Sequence, residues 1–336
     1  GIGRAPMEAS GLGMPPAAPL PVEAATQATA AAVRSDDSAG VWRPAEKADA
    51  ASEVQAPGLD IAAEAWAGHV PAVFALANDE IATLRAPLPY HLCLTRQALL
   101  PSLTEPVRKH FLPFAPPLSS APWFEYAGQA LKPQIPVGVL FDLLVSEADS
   151  NALPWAITVH FQRAPLELLD ASLKTAESLL LNALKESCYL CCGSSLPAMS
   201  LSAEDQERLK KAVAMGDYEA FRKVKEQVQR GVASQLGAAS SGSHVPRSIP
   251  VRVYTDQSTW RQLPVAPMLD DGRPCLLSHL LARCLPHVFG HGADATAARM
   301  DILVQGVRCP TNAQLLWLSR ACSHPDGFLY ICVRRL

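Results

Sequence analysis

Aromatic side chains are scarce in this 336-residue chain, at 6% of the whole, and the charges nearly cancel, leaving −3. Without a basic field, general capture of nucleic acid or of an acidic membrane surface is not expected. No uninterrupted apolar run approaches the ~18 residues of a membrane-spanning helix. The most apolar stretch, residues 137–145, is broken by Asp142. A paired cysteine framework is also missing: the nine cysteines are an odd number, and most sit inside apolar runs such as Tyr330-Ile331-Cys332-Val333. There a free thiol acts as a small buried hydrophobe. With no signal-peptide pattern, a reducing compartment is expected, the cytosol by default. The chain opens on Gly1 and not on an initiator methionine, which reads as a fragment or a processed form.

Catalytic signatures are missing too. There is no Walker loop, no G-x-S-x-G elbow, no H-E-x-x-H and no paired C-x-x-C set. Neither a cofactor nor a metal site is expected. Cys188-x-x-Cys191-Cys192 is the sharpest local candidate, as a redox pair or half a zinc site. No second ligand pair lies nearby, and Tyr189 and Leu190 continue an apolar helix through it, so a structural role is the reading preferred. His279, His287 and His291 fit no single helix face and read as solvated. The basic residues between Arg208 and Arg230 are offset by Glu204, Asp205, Glu207, Asp217, Glu219 and Glu226, the pattern of a solvated helix face.

What is present begins with alanine. Ala, Pro and Gly make up 29 of the first 60 residues, with Trp42 the single aromatic. Such a segment buries too little apolar surface to offset its ordering entropy, so residues 1–60 are expected to be a disordered tail. Beyond it, strands are expected over residues 70–76, 90–95, 122–126 and 155–163. In the last, Ile157, Val159 and Phe161 alternate with more polar neighbours. Helices are expected over 103–111 and 137–145. The last 88 residues repeat the order: strands 249–254 and 260–265, a helix 276–288 with a Pro286 turn, a strand 299–305, a helix 314–322 and a strand 327–334. Hairpin, helix, strand, helix, strand is the order of a ubiquitin-like β-grasp, met twice.

Between the repeats, Leu173, Ala176, Leu180 and Leu184 fall at helical spacing, as do Tyr218, Phe221, Val224 and Val228. Ser202 and Asp217 read as helix caps and Gly216 as a stop. The expected fold class is α+β: two ubiquitin-like β-grasp domains flanking a helix-rich domain. The boundaries are a tail 1–60, a first β-grasp with its N-terminal segment 61–164, helices 165–230, a Gly/Ser/Ala-rich flexible linker 231–248, and a second β-grasp 249–336.

Several segments, in order, resemble the autophagy protein 5 family: Trp66-Ala-Gly-His-Val-Pro, Trp123-Phe-Glu-Tyr-Ala-Gly, Pro136-Val-Gly-Val-Leu-Phe-Asp, Leu153-Pro-Trp-Ala-Ile-Thr-Val-His-Phe, Ile249-Pro-Val-Arg-Val-Tyr and Phe328-Leu-Tyr-Ile-Cys-Val. The resemblance covers residues 66–333 and implies a non-catalytic acceptor. One lysine, Lys132 here, would be joined by an isopeptide bond to the C-terminal glycine of the ubiquitin-like modifier autophagy protein 12. The coiled-coil partner autophagy protein 16 would bind a groove between the three domains, where Arg96 matches a family arginine. E2-like conjugating enzymes would be transient partners. The conjugate would promote transfer of autophagy protein 8 to phosphatidylethanolamine at the growing autophagosome membrane, with cytoplasmic location and peripheral membrane contact. Ala130 and Pro133 depart from the family's usual residues around the acceptor.

By composition alone Lys132 is a surface lysine in a turn, and Arg96 a surface arginine at a strand end. The second repeat has Pro310 near the place of Lys132. The ending Val333-Arg-Arg-Leu lacks the Gly-Gly tail of an activated modifier, so the chain is expected to receive a modifier and not to be one. The alternatives are a thiol-dependent enzyme using the Cys188 cluster, and a ubiquitin-fold adaptor outside autophagy.

Overall fold

The computed structural model describes residues 60–116, 121–145, 152–168, 172–237, 245–290 and 300–335. Apart from Asp60, the expected tail lies outside them, as do His291 and residues 238–244 of the expected linker.

Asp60 caps α1 (Ile61–Trp66), its carboxylate accepting the Ala62 and Ala63 amides. The first sheet follows from β1 (His69–Leu76) and β2 (Tyr90–Thr95), then α2 (Thr104–Phe111), β3 (Trp123–Tyr126), β4 (Gln129–Ala130), α3 (Val137–Leu144) and β5 (Trp155–His160). Its strand order is β2-β1-β5-β3-β4, with β1 and β5 parallel at the centre. Burial alternates along β1 and β5, because one face meets the core and the other does not. Arg163 was expected inside the last strand. It lies beyond β5, at φ 52°, where extended pairing has ended.

Four helices come next: α4 (Leu173–Cys192), α5 (Leu196–Met199), α6 (Ala203–Met215) and α7 (Tyr218–Gln235). Their ends are written in the sequence. Ser172, Ser202 and Asp217 accept the amides of Thr175, Asp205 and Ala220, and Gly193 and Gly216 close α4 and α6 in the left-handed region. Arg208 pairs with Glu204 and Asp205, and Arg222 with Glu219 and Glu226, on the solvated face expected.

The second sheet is built from β6 (Ile249–Tyr254), β7 (Trp260–Val265), α8 (Leu277–Cys284), α9 (Pro286–Phe289), β8 (Met300–Val304), β9 (Val307–Arg308), α10 (Leu315–Cys322) and β10 (Leu329–Arg335). Its order, β7-β6-β10-β8-β9, repeats the first sheet strand for strand, with β6 and β10 parallel. The single helix expected over 276–288 is two, parted at Leu285, whose φ of −130° and ψ of 60° break the helix before Pro286 starts another turn.

One finding adds to the sequence reading and two depart from it. First, β10 is buried on both faces, from Leu329 through Arg334. Tyr330 and Cys332 join the first sheet's core, while Leu329, Ile331 and Val333 join the second's. The two β-grasp units therefore pack through β10 and α3. Second, α1 belongs to the helical core: Trp66 stacks on Phe221 at 4.2 Å and its Nε1–H donates to the Gly216 carbonyl at 2.8 Å. Third, the linker expected from residue 231 begins later. α7 runs on to Gln235 because Val232 and Ala233 remain buried. Gly231 is a packing glycine, where a Cβ would stand 2.9 Å from Pro197 Cβ of α5. Arg247 is then tied to α4, its amide donating to the Cys191 carbonyl at 2.8 Å.

Candidate functional site

Lys132 follows a tight hairpin. Ala127 and Gly128 both have positive φ (49° and 79°), turning β3 into β4. The Leu131 amide then donates to the Phe124 carbonyl at 2.8 Å, and the Leu131 side chain is buried. The next residue is Lys132, pushed outward between Leu131 and Pro133. In the second unit, Gln305 and Gly306 have φ of 53° and 80°, and the Cys309 amide donates to the Ile302 carbonyl at 2.8 Å. The equivalent of Lys132 is therefore Pro310, as the repeat implied, and the second unit carries no amine there.

The second unit braces this turn from outside. The Lys132 amide donates to Gln257 Oε1 at 3.0 Å, and its ammonium donates to Ser258 Oγ at 3.1 Å. Gln257 is buried and Ser258 is exposed, so the backbone of the turn is pinned while the amine rests on the surface. Asp256 shapes the β6–β7 loop by accepting the Ser258 and Thr259 amides at 2.6 and 2.8 Å. Burial pushes its carboxyl up, but the Ser258 and Thr259 hydrogen bonds and the Lys132 charge outweigh that and hold it below the usual range. A carboxylate so stabilised is a weak base. Among the described residues, the groups shown near the Lys132 amine are the Ser258 hydroxyl and this carboxylate, neither suited to deprotonating it.

Arg96 lies elsewhere than composition placed it. It is 7% exposed, wedged at the end of β2, and not on the surface. Its Nη2 donates to Asp142 Oδ2 at 2.5 Å and to the Gly138 carbonyl at 3.1 Å. A Cβ on Gly306 would fall 2.7 Å from its Cζ, and one on Gly68 would fall 2.7 Å from its Cδ. The guanidinium thus locks β2, α3 and the β8–β9 turn together. Asp142, the charge that broke the most apolar stretch of the sequence, is its counter-ion.

A cleft of about 310 Å³ lies between α4 and α7 on one side and α10 with residues 323–327 on the other. Leu184, Phe221, Val224, Val228 and Leu316 give it apolar walls. Cys188 and Cys191 also line it, and burial pushes both thiols up to about 12, with their neighbouring cysteines adding to the effect. Thiolate is scarce there at neutral pH, the opposite of an activated nucleophile. His279 serves locally, its Nδ1 accepting the Leu276 amide at 3.0 Å, and His287 is exposed. Sequence reasoning missed Gln257, Ser258 and Asp256 as the brace of Lys132, because a contact across 126 positions leaves no local spacing to read.

Three stretches match family descriptions: "Autophagy protein ATG5, UblA domain" over residues 65–161, "Autophagy protein ATG5, alpha-helical bundle region" over 173–230, and "Autophagy protein ATG5, UblB domain" over 248–333. Autophagy protein 5 of Drosophila melanogaster is 30% identical over 273 residues, covering 80% of this chain and 94% of that protein. Autophagy protein 5 of Arabidopsis thaliana is 26% identical over 327 residues, covering 80% and 95%. The crystal structure of Kluyveromyces marxianus Atg5 superposes with a TM-score of 0.64 at 20% identity, covering 81% of this chain and 98% of that one. At that identity the superposition speaks for the fold.

Proposed function

The chain belongs to the autophagy protein 5 family, and from that premise we propose that it is a scaffold without catalysis of its own, receiving the modifier autophagy protein 12 on Lys132. The observation that carries the reading is the braced turn: a backbone held by Gln257 and an amine resting on the Ser258 hydroxyl. An incoming thioester displaces one surface hydrogen bond, and the turn keeps its shape. The isopeptide bond forms when the deprotonated Nζ attacks the thioester carbonyl of the modifier's C-terminal glycine. The enzyme thiolate leaves, and the amine's proton passes to a base on the conjugating enzyme. Asp256 is too well stabilised to serve as that base.

The coiled-coil partner, autophagy protein 16, takes the cleft between the helical bundle and the second ubiquitin-like domain, as an amphipathic helix laid into an apolar groove. Arg96, the groove arginine implied by the resemblance, does not line this cleft; it fixes the first unit to the second. The assembled conjugate acts with E2-like enzymes in transfer of autophagy protein 8 to phosphatidylethanolamine, from the cytoplasm and at the membrane surface. The reading is tested by Lys132→Arg in cells. The higher-mass conjugate disappears from a blot while the unconjugated chain persists; an intact conjugate overturns the assignment.

A further inference from the structure

The cleft is apolar in its walls but not in its charge. Among the described residues, its lining includes Lys225 and Arg320 and no aspartate or glutamate. Lys225 stands apart from the other half-buried cations of the bundle. Arg208 and Lys210 each pair with carboxylates on α4 or α6, whereas Lys225 makes no ion pair among the described residues. Its ammonium donates to the Arg320 carbonyl at 3.4 Å and lies 5.9 Å from the Phe221 ring centroid. Burial holds it below the usual lysine range, with Asp60 and Cys322 opposing that shift. Asp60 is already engaged, accepting the Tyr218 hydroxyl at 2.9 Å and the amides of Ala62 and Ala63. His324 lines the same cleft; it is 4% exposed, and its Nδ1 has no hydrogen-bond partner among the described residues.

A half-buried ammonium beside apolar walls is tolerated while water reaches it. A helix that filled the cleft would remove that water. A purely apolar occupant would then leave a buried, unpaired charge, and a basic one would add repulsion. We propose that Lys225 determines the specificity of the cleft, and that the docking helix carries an aspartate or glutamate whose carboxylate pairs with the Lys225 ammonium. This rests on the reading of the cleft as the coiled-coil partner's groove. It adds a requirement on the partner: an acidic residue on the helix's apolar face, where spacing alone would place a hydrophobe.

The test is fluorescence polarisation with a labelled amphipathic-helix segment of autophagy protein 16 from the same organism, titrated with the full chain. Lys225→Met keeps the stem and removes the charge, and binding weakens ten-fold or more. Lys225→Arg stays within a few-fold of the wild type, and Lys225→Glu abolishes binding. Neutralising each acidic residue of the segment in turn then identifies one whose loss is no longer felt in the Lys225→Met chain, the signature of a direct pair. If the wild type binds and Lys225→Met binds equally or more tightly, desolvation governs and the inference is overturned alone. If the wild type does not bind the segment, the groove reading falls and the inference with it.

Discussion

Arg96 and Asp142 are both almost fully buried, and each answers the other's charge. Removing one partner of such a pair leaves a charge stranded in the interior. Arg96→Met is therefore expected to cost about 3–5 kcal/mol in urea unfolding, and Arg96→Met with Asp142→Leu to recover most of it. A single variant as stable as the wild type would contradict the buried pair. His324 makes a second, pH-dependent prediction. Burial, with the Arg96 and Arg252 charges adding to it, holds its ring down to about 3 from an ordinary 6.5. Between these values the unfolded chain binds a proton that the folded chain does not, so stability falls as pH drops from 6.5 toward 3. The share of this one residue is on the order of a few kcal/mol at the acid end. His324→Leu should flatten the acid limb of the melting temperature plotted against pH, and an unchanged limb would contradict it. Residues of this kind show in a sequence only as anomalies. Asp142 interrupting an apolar helix was such an anomaly; what it paired with was 46 positions away.

Among the elements, those whose rules are local were legible. The β5 alternation, the Ser202 and Asp217 caps and the Gly216 stop all follow from side-chain period and backbone sterics, and the structure carries each. The features left unread are those shaped by distant partners. The uniform burial of β10 comes from a second core behind it, and the docking of α1 comes from Trp66 finding Phe221. The end of α7 was misplaced because Gly231 and the Gly/Ser-rich stretch after it share a composition but not a role. Gly231→Leu should destabilise the chain by about 1–3 kcal/mol through overpacking against Pro197, read by urea unfolding. A flexible linker at that position would leave the midpoint unchanged.

At the scale of the molecule, two ubiquitin-like units flank a helical bundle, and the likeness of the units makes one chemical difference between them visible. The same hairpin, with the same two positive-φ residues and the same closing hydrogen bond, ends in Lys132 in the first and Pro310 in the second. The sequence placed that lysine in a turn by its flanking prolines and glycine, and the family resemblance alone singled it out. Its brace from the second unit was invisible until the chain was folded, because Gln257 and Ser258 are ordinary loop residues until β6 and β7 bring them to the first unit. The most direct test of this account is reconstitution of the full chain with the modifier and its activating and conjugating enzymes, followed by tandem mass spectrometry of the branched peptide. The account predicts one branch, on the Nζ of Lys132. A branch on any other lysine, or comparable occupancy spread over several, would contradict it.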